Sequence, residues 1–154
     1  MAELVVRRND LTVLPRFAEM NLEWIAELHH VEASDRAMAA DPSRYVRDGN
    51  SVFSVHDGED VIGVCALKQD GDGAWELTKM AVAAHARGRG IGAMLMEVVE
   101  SYARDAMGLS EIYLLSSTKN AAAIRLYKRC GWEVFLDGGH SKYARCNIGM
   151  RKSL

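Results

Sequence analysis

The residues best suited to chemistry in this 154-residue chain lie in a glycine- and arginine-rich segment, HARGRGIGAML, that begins at His85. Gly88, Gly90 and Gly92 are interleaved with arginine and isoleucine, and an apolar run with helical spacing follows them. The first N–H groups of a helix have no partner within it and carry a partial positive charge. Glycines let such a backbone approach an anion without interference from Cβ atoms, and the arginines add charge. The segment therefore predicts an anion site, with a pyrophosphate as its natural ligand.

Two known phosphate-binding patterns can be compared with this loop. Gly88, Gly90 and Ala93 satisfy the dinucleotide fingerprint G-x-G-x-x-G/A, which also needs an acidic residue about 20 positions later at the end of the next strand. Glu111 has that separation but opens its strand. The strand before the loop also belongs to an antiparallel meander, so the dinucleotide interpretation fails on context. No Gly-Lys-Ser/Thr follows, which excludes a P-loop. A loop that only turns the chain remains an alternative.

The elements that must position this loop can be predicted from hydrophobic spacing and turn residues. Strands are predicted over residues 3–8, 51–56, 61–68, 75–82, 111–116, 131–135 and 147–151. Helices are predicted over residues 14–28 and 34–40, from Ile91 to an end near Gly108, and over 120–130. The order β-α-α-β-β-β-α-β-α-β-β is typical of an α+β fold, or a mixed α/β fold around one central sheet. We expect residues 1–154 to form one domain.

Composition excludes several classes of function. The net charge of −2 argues against nucleic acid as the main partner. The N-terminus has no apolar signal-peptide region, and no run of roughly 18 apolar residues predicts a membrane span. Cys65, Cys130 and Cys146 are odd in number and lack metal-ligand spacing, so we expect free thiols and a cytoplasmic protein. Cys65 lies in an apolar run that indicates an inert, buried thiol. His29 and His30 have no third ligand, so no metal site is expected.

Two segments together resemble the GNAT family of N-acetyltransferases, which use acetyl-CoA. Arg87-Gly-Arg-Gly-Ile-Gly92 follows the strand WELTKMAV, as in the family's Arg/Gln-x-x-Gly-x-Gly/Ala signature. Asn120-Ala-Ala-Ala-Ile-Arg-Leu-Tyr127 leads to Gly131-Trp132, where the family more often has Gly-Phe. The segments NLEW in the first helix, ELTKMAV in the fourth strand and SKYARCNIGM near the C-terminus are similar to one bacterial branch whose acceptor is unassigned.

The resemblance implies a fold and a cofactor. The fold is a central, mostly antiparallel sheet of six to seven strands, with about four helices and a V-shaped splay after the fourth strand. Acetyl-CoA is the co-substrate, with no metal. The residues implied in cofactor binding are Met80, Ala81, Val82, Arg87, Gly88, Arg89, Gly90, Gly92, Ala93, Asn120, Ala123 and Tyr127. Asn120 also fits a plain helix N-cap.

The resemblance also implies two catalytic residues. Glu76 lies eleven residues before Arg87, where related histone acetyltransferases carry their base. A base is needed because an amine with a pKa near ~10.4 is almost entirely protonated at neutral pH. Strand alternation puts Glu76 on one face with Thr78, Met80 and Val82. A solvated edge carboxylate is the alternative role for Glu76, and Glu23 is the alternative base. Tyr127 matches the tyrosine that protonates the departing thiolate, or is a core tyrosine.

The acceptor is expected to be a small-molecule or peptide amine, contacted by Asn21, Glu23, Trp24 and Tyr143. Arg145 and Asn147 fall where the family closes its acceptor site or forms a dimer, and a homodimer is a further expectation. A non-catalytic acyl-CoA sensor is the main alternative to an enzyme. A protein-interaction domain with a vestigial fold is the third hypothesis.

Overall fold

A computed structural model describes residues 3–138 and 145–154, and these build one seven-stranded sheet with its helices packed against it. The strands are β1 Leu4–Arg8, β2 Ser51–Asp57, β3 Asp60–Gln69, β4 Trp75–Val82, β5 Glu111–Ser116, β6 Glu133–Asp137 and β7 Ile148–Ser153. Their order in the sheet is β1-β2-β3-β4-β5-β7-β6. Every neighbouring pair is antiparallel except β4 and β5, so the mostly antiparallel sheet is confirmed.

Four α-helices accompany the sheet within the described ranges: α1 Leu14–Leu28, α2 Ala33–Ala40, α3 Ile91–Ser101 and α4 Ala121–Arg129. The third predicted helix differs in its last turn, because Tyr102–Ala106 form a π-helical turn. There the N–H of Met107 donates to the carbonyl of Tyr102. Gly108, with φ +69°, then ends the segment where the sequence predicted. None of these helices is long and apolar enough to cross a membrane.

Strands β4 and β5 separate almost as soon as they meet. Their only backbone pairing is Glu76 with Tyr113, whereas β5 and β7 pair along six positions. Because parallel strands that stop pairing leave the remaining backbone groups facing a gap, a V-shaped opening follows Glu76. The predicted splay after the fourth strand is confirmed.

A β-bulge interrupts β4 just beyond this point. Thr78 is in register with Ala66 and Ala81 with Val64, so two residues of β4 stand opposite one residue of β3. Lys79, inside the bulge, has a φ of +57°, which is rare for a residue with a side chain.

The bulge corrects one sequence prediction. Glu76 and Thr78 share a face, but Met80 and Val82 do not continue it, because the extra residue shifts the alternation and puts Ala81 there instead.

Close packing fixes the start of α3 against the sheet. A Cβ at Gly63 of β3 would lie 2.4 Å from Cγ2 of Ile91, the first residue of α3. Ile91 and Leu95 are buried there, and Phe17 and Met20 bury α1 in the same core. The glycine in β3 therefore lets the first turn of α3 lie directly against that strand.

Candidate active site

Two cavities meet at the splay. The larger, which we call the loop groove, has a volume of about 930 Å³ and runs between the end of β4, the loop before α3 and one face of α4. The smaller, which we call the inner pocket, has a volume of about 80 Å³ and lies in the splay itself. Four residues line both cavities: Trp24, Met80, Asn120 and Tyr127.

The start of α3 has the features of an anion site. Gly88 and Gly90 have φ values of +83° and +77°, and a Cβ at either would meet nothing within 4 Å, so the glycines serve the backbone conformation. No side chain caps the helix, and its first hydrogen bond runs from the N–H of Met94 to the carbonyl of Gly90. The amides before Met94 are therefore available to a phosphate in the loop groove.

The two arginines of the loop lie on different sides of it. Arg87 lines the groove and forms an exposed ion pair with Glu27 of α1, at 2.9 Å. Arg89 forms an ion pair with Asp57 at 3.3 Å and is the one predicted cofactor residue that does not line the groove. Exposed pairs of this kind are weak, so Arg87 can exchange its carboxylate for a phosphate at little cost.

Gly92 has a packing role that the sequence did not reveal. A Cβ there would lie 2.9 Å from Cδ2 of Leu126, so the missing side chain lets α3 approach α4. This approach closes the floor of the loop groove.

The opposite wall of the groove comes from α4. Asn120 caps the helix by accepting a hydrogen bond from the N–H of Ala123, at 3.3 Å. Arg125 and Arg129 line the same groove, although the sequence analysis did not single them out. Their four-residue spacing along the helix is the signal that could have identified them. Together with Arg87 they give the groove a positive charge suited to phosphates.

Tyr127 stands where the two cavities join. Its side chain is only 9% exposed, and burial, followed by the nearby Cys65 thiol, raises its pKa to about 12. Its ring centroid lies 6.4 Å from that of Trp132. The phenol therefore remains protonated at neutral pH and can donate a hydrogen bond to a group at the junction.

Glu76 lines the inner pocket at the mouth of the splay and is 1% exposed. It is therefore a buried carboxylate, and the alternative of a solvated edge carboxylate is wrong. Lys79 lines the same pocket. Burial and the charge of Arg145 lower the pKa of Lys79, and the charge of Glu76 opposes this shift.

Asn21 connects α1 to the bulge and is fully buried. Its Nδ2 donates to the carbonyl of Phe17, at 2.9 Å, and to the carbonyl of Lys79, at 3.1 Å. Its Oδ1 accepts a hydrogen bond from Nε1 of Trp24, at 3.0 Å. The side chain is thus occupied with the backbone of β4, and it lines neither cavity.

The other expected acceptor residues are dispersed. Trp24 lines both cavities, whereas Glu23 is exposed, lies 3.5 Å from Arg16 and lines neither. Tyr143 lies outside the described residues. Asn147 bonds to Thr118 through both its side-chain oxygen and its side-chain nitrogen, so it fastens the start of β7.

Three further polar residues line the inner pocket: Arg145, which the resemblance placed where the family closes its acceptor site or forms a dimer, and His29 and Lys79, which the sequence analysis did not assign to an acceptor site. Burial, then the charge of Arg145, lowers the pKa of Lys79. Burial, then Arg145 and Lys119, lowers the pKa of His29, whose buried Nε2 has no hydrogen-bond partner among residues 3–138 and 145–154. The positive field in the pocket therefore comes mainly from Arg145.

Arg145 is held from behind by α2. Its two terminal nitrogens donate to the two oxygens of Asp35, at 2.9 and 2.6 Å, and Asp35 is fully buried. Burial pushes the pKa of Asp35 upward, but hydrogen bonds from Arg145 and from the amide of Glu32 outweigh it, so the pKa is lowered.

The thiols and histidines of the described chain take no visible part in metal binding. Cys65 is fully buried, which confirms that this thiol is buried, and burial raises its pKa far above the usual range. His85 is exposed and pairs with Asp60, at 2.9 Å. Across residues 3–138 and 145–154, no group of three or more His, Cys, Asp or Glu side chains lies close enough to hold a metal ion.

Comparisons with known proteins agree with this geometry. The acetyltransferase (GNAT) family model matches residues 18–132. The curated protein named "Probable N-acetyltransferase 14", from Xenopus tropicalis, is 35% identical over 82 residues, which are 53% of this chain and 39% of that protein. This match spans well under half the length of that relative.

Solved structures share the fold over nearly the whole chain. A GNAT-family acetyltransferase from Staphylococcus aureus has a TM-score of 0.84 at 16% identity, covering 99% of both chains. A ribosomal-protein-alanine N-acetyltransferase from Brucella melitensis has a TM-score of 0.77 at 21% identity, covering 97% of this chain and 99% of that one. A spermidine N-acetyltransferase from Vibrio cholerae, solved with CoA and spermine, has a TM-score of 0.72 at 18% identity, covering 97% and 95%.

Proposed function

The chain belongs to the acetyltransferase (GNAT) family, and from that premise we propose that it transfers the acetyl group of acetyl-CoA to a primary amine. The observation that carries the proposal is the junction of the two cavities. A groove with an uncapped helix end meets an inner pocket with a buried carboxylate, and Tyr127 lines both. An acetyl donor in the groove and an amine in the pocket would meet there, so direct transfer needs no covalent enzyme intermediate.

The loop groove binds the donor. The amides between Gly88 and Ala93 receive the pyrophosphate, with Arg87, Arg125 and Arg129 beside it. The pantetheine arm extends along Met80–Val82, where the splay leaves the backbone groups of β4 that face β5 without a strand partner. This placement brings the thioester to the junction.

The backbone at the bulge polarises the thioester. A backbone N–H near Val82 points to the carbonyl oxygen and stabilises the negative charge that develops on it during attack. The bulge at Lys79 sets the direction of these amides, because it shifts the alternation of every later residue in the strand.

Glu76 accepts the proton that the amine must lose. At neutral pH only about one molecule in a few thousand of a lysine-like amine is free base. A buried carboxylate in the inner pocket attracts the ammonium and takes its proton, directly or through a water. The freed nitrogen then attacks the carbonyl carbon.

Tyr127 serves the departing sulfur as the carbon–sulfur bond breaks. With a pKa of about 12 its hydroxyl is protonated, whereas a thiol has a pKa near ~8.5. Complete proton transfer from the Tyr127 hydroxyl to the thiolate is therefore unfavourable. The hydroxyl acts first as a hydrogen-bond donor to the sulfur, and any proton that it gives up is replaced from solvent. The products are an N-acetyl amide, the CoA thiol and one released proton.

The acceptor class is a small-molecule or peptide amine. Support comes from the names of the neighbours, since one is named a spermidine N-acetyltransferase and another a ribosomal-protein-alanine N-acetyltransferase. A cytoplasmic location, one domain over residues 1–154 and a homodimer stay predictions.

The test is release of free thiol from acetyl-CoA across a panel of primary amines, with the acetylated product identified by mass. Amine-dependent release supports transfer. Saturable binding of acetyl-CoA without release from any amine would favour the non-catalytic acyl-CoA sensor. Absence of acetyl-CoA binding would leave the interaction domain as the remaining hypothesis.

A further inference from the structure

We propose that the inner pocket selects an amine that also carries a carboxylate, which Arg145 and Lys79 recognise while Glu76 receives the ammonium. This inference rests on the proposed function, since it names the class of acceptor for the same site. It follows from which charges line the pocket and which lie behind them.

The charges that line the pocket are unbalanced. Among the described lining residues, Lys79 and Arg145 are cationic, and Glu76 is the one carboxylate. The carboxylates near Arg145 are Asp35 of α2 and Glu32 at the N-cap of that helix, and neither lines the pocket. An entering molecule therefore meets two cations and one anion.

Arg145 is oriented in advance for an anion. Its bidentate contact with the fully buried Asp35 fixes the guanidinium plane. A guanidinium has five N–H donors, so these two bonds leave three for other groups. Asp35 fixes the orientation of the guanidinium. A carboxylate that binds the remaining donors therefore meets them in a favourable geometry and is also attracted by their charge.

The two cations also repel each other. Arg145 is the largest charge that lowers the pKa of Lys79, against the opposing effects of Asp35, Glu76 and Cys146. His29, with an unpartnered buried Nε2, feels the same field from Arg145 and Lys119, opposed by Asp35 and Glu32. A carboxylate in the pocket would relieve this repulsion, whereas a polyamine would add to it.

The position of Lys79 places this recognition close to the reacting centre. It precedes Met80, which lines both cavities, and its carbonyl is held by Asn21. A carboxylate within a few bonds of the amine, as in an amino acid, therefore fits better than one at the end of a long chain.

Matched acceptors test the inference directly. L-Phenylalanine, its amide and phenethylamine share a side chain and a primary amine, and only the first has a carboxylate. The standard amino acids and spermidine complete the panel, and kcat/KM is measured by thiol release. We expect the carboxylate to raise kcat/KM by about tenfold to a hundredfold within a matched set, the range for hydrogen bonds to charged groups.

Two variants locate the effect. Lys79→Met removes one cation. The double variant Asp35→Asn/Arg145→Gln removes the other cation together with its buried partner, so that neither charge of that pair remains alone. Each should raise KM for the carboxylated acceptor and leave KM for phenethylamine and the Kd of acetyl-CoA unchanged. Arg151→Gln on β7, which lines neither cavity, is the control for loss of a cation elsewhere.

The outcomes separate the two proposals. Preference for phenethylamine or spermidine over every carboxylated acceptor would overturn this inference and leave acetyl transfer standing. Tight acetyl-CoA binding with no turnover of any amine would overturn the transfer itself, and the acceptor class with it.

Discussion

Glu76 and Tyr127 are both buried, but they are suited to different steps of the proposed reaction. Both line the inner pocket, where Glu76 is a buried carboxylate that shares the space with Lys79 and Arg145, whereas burial raises the pKa of the Tyr127 phenol to about 12. One group is therefore suited to take a proton and the other to keep one. Their resemblance to family residues suggested these roles, and the fold adds the environments that make them chemically reasonable.

Replacement of Glu76 tests its role through pH. Glu76→Gln should lower kcat/KM at pH 7 by about a hundredfold, within the range for general bases. The deficit should shrink as the pH approaches the amine pKa near ~10.4, because the amine then arrives as free base. Initial rates between pH 6 and pH 10, with the Kd of acetyl-CoA as a control, give the profile. An equal deficit at every pH would contradict a role as base.

Single residues also mark the limit of prediction from sequence. Lys79, Arg145 and His29 come from β4, from the segment before β7 and from the end of α1, and no spacing joins them. Glu23 and Trp24 are adjacent in sequence, yet only Trp24 reaches the cavities. Pockets assembled from distant segments require the tertiary structure.

At the level of elements, the bulge of β4 depends on α1. The conformation of Lys79 is unfavourable for a residue with a side chain, by about 1–2 kcal/mol, and the hydrogen bond from Asn21 to its carbonyl helps to hold it. No feature of the sequence predicts the bulge, because neither glycine nor proline marks it.

Asn21→Leu should lower kcat more than it weakens acetyl-CoA binding, since it removes a bond to the bulge but no contact with the groove. The unpaired carbonyl should also lower the free energy of unfolding by about 1–3 kcal/mol. Trp24→Phe removes the bond from Nε1 to Asn21 but leaves the bond from Asn21 to Lys79, and because Trp24 also lines both cavities the Kd of acetyl-CoA is measured for this variant as well. Unchanged kcat in folded Asn21→Leu protein would show that the bulge does not need this support.

Gly90, in the loop before α3, has a matched control in Gly58 of the hairpin between β2 and β3. Gly90 and Gly58 have φ values of +77° and +61°, and a Cβ at either would meet nothing within 4 Å. Alanine at either position should therefore lower stability similarly, by about 1–2 kcal/mol. Only Gly90→Ala should raise the Kd of acetyl-CoA, because Gly58 lies in the hairpin between β2 and β3. Equal Kd values for the two variants would argue against phosphate binding at this loop.

At the scale of the whole molecule, the ion pair of Asp35 and Arg145 joins segments 110 residues apart. The pKa of Asp35 is lowered in the folded protein, so its contribution to stability is present above the unfolded pKa of about 3.9 and is lost as the pH falls through the folded value.

Asp35→Asn should reduce the free energy of unfolding at pH 7 by about 3 kcal/mol, since it leaves a largely buried guanidinium with only the longer contact to the partly exposed Glu32, at 3.8 Å. Urea denaturation from pH 7 to pH 2 should show this deficit constant down to about pH 4 and smaller below it, where the wild-type carboxyl also becomes protonated. A deficit that is the same at pH 2 as at pH 7 would contradict the ionic account.

The architecture as a whole was largely predictable. The bounds of α1, β4 and β5 agree with the sequence prediction because helical spacing and glycine turns are local signals. The splay after the fourth strand followed from the family resemblance. The insertion of β7 between β5 and β6, the bulge and the inner pocket depend on contacts between distant segments, and these have no local signature.

The most direct measurement of the central claim is amine-dependent thiol release by the wild type and by Tyr127→Phe, with the Kd of acetyl-CoA determined for both. If the two cavities meet at the reacting centre, the wild type turns over, and the variant loses at least about tenfold in kcat at unchanged Kd, as expected for loss of the hydroxyl that donates to the departing sulfur. Equal turnover by both proteins would remove Tyr127 from the chemistry. Binding of acetyl-CoA without release from any amine would contradict the account as a whole.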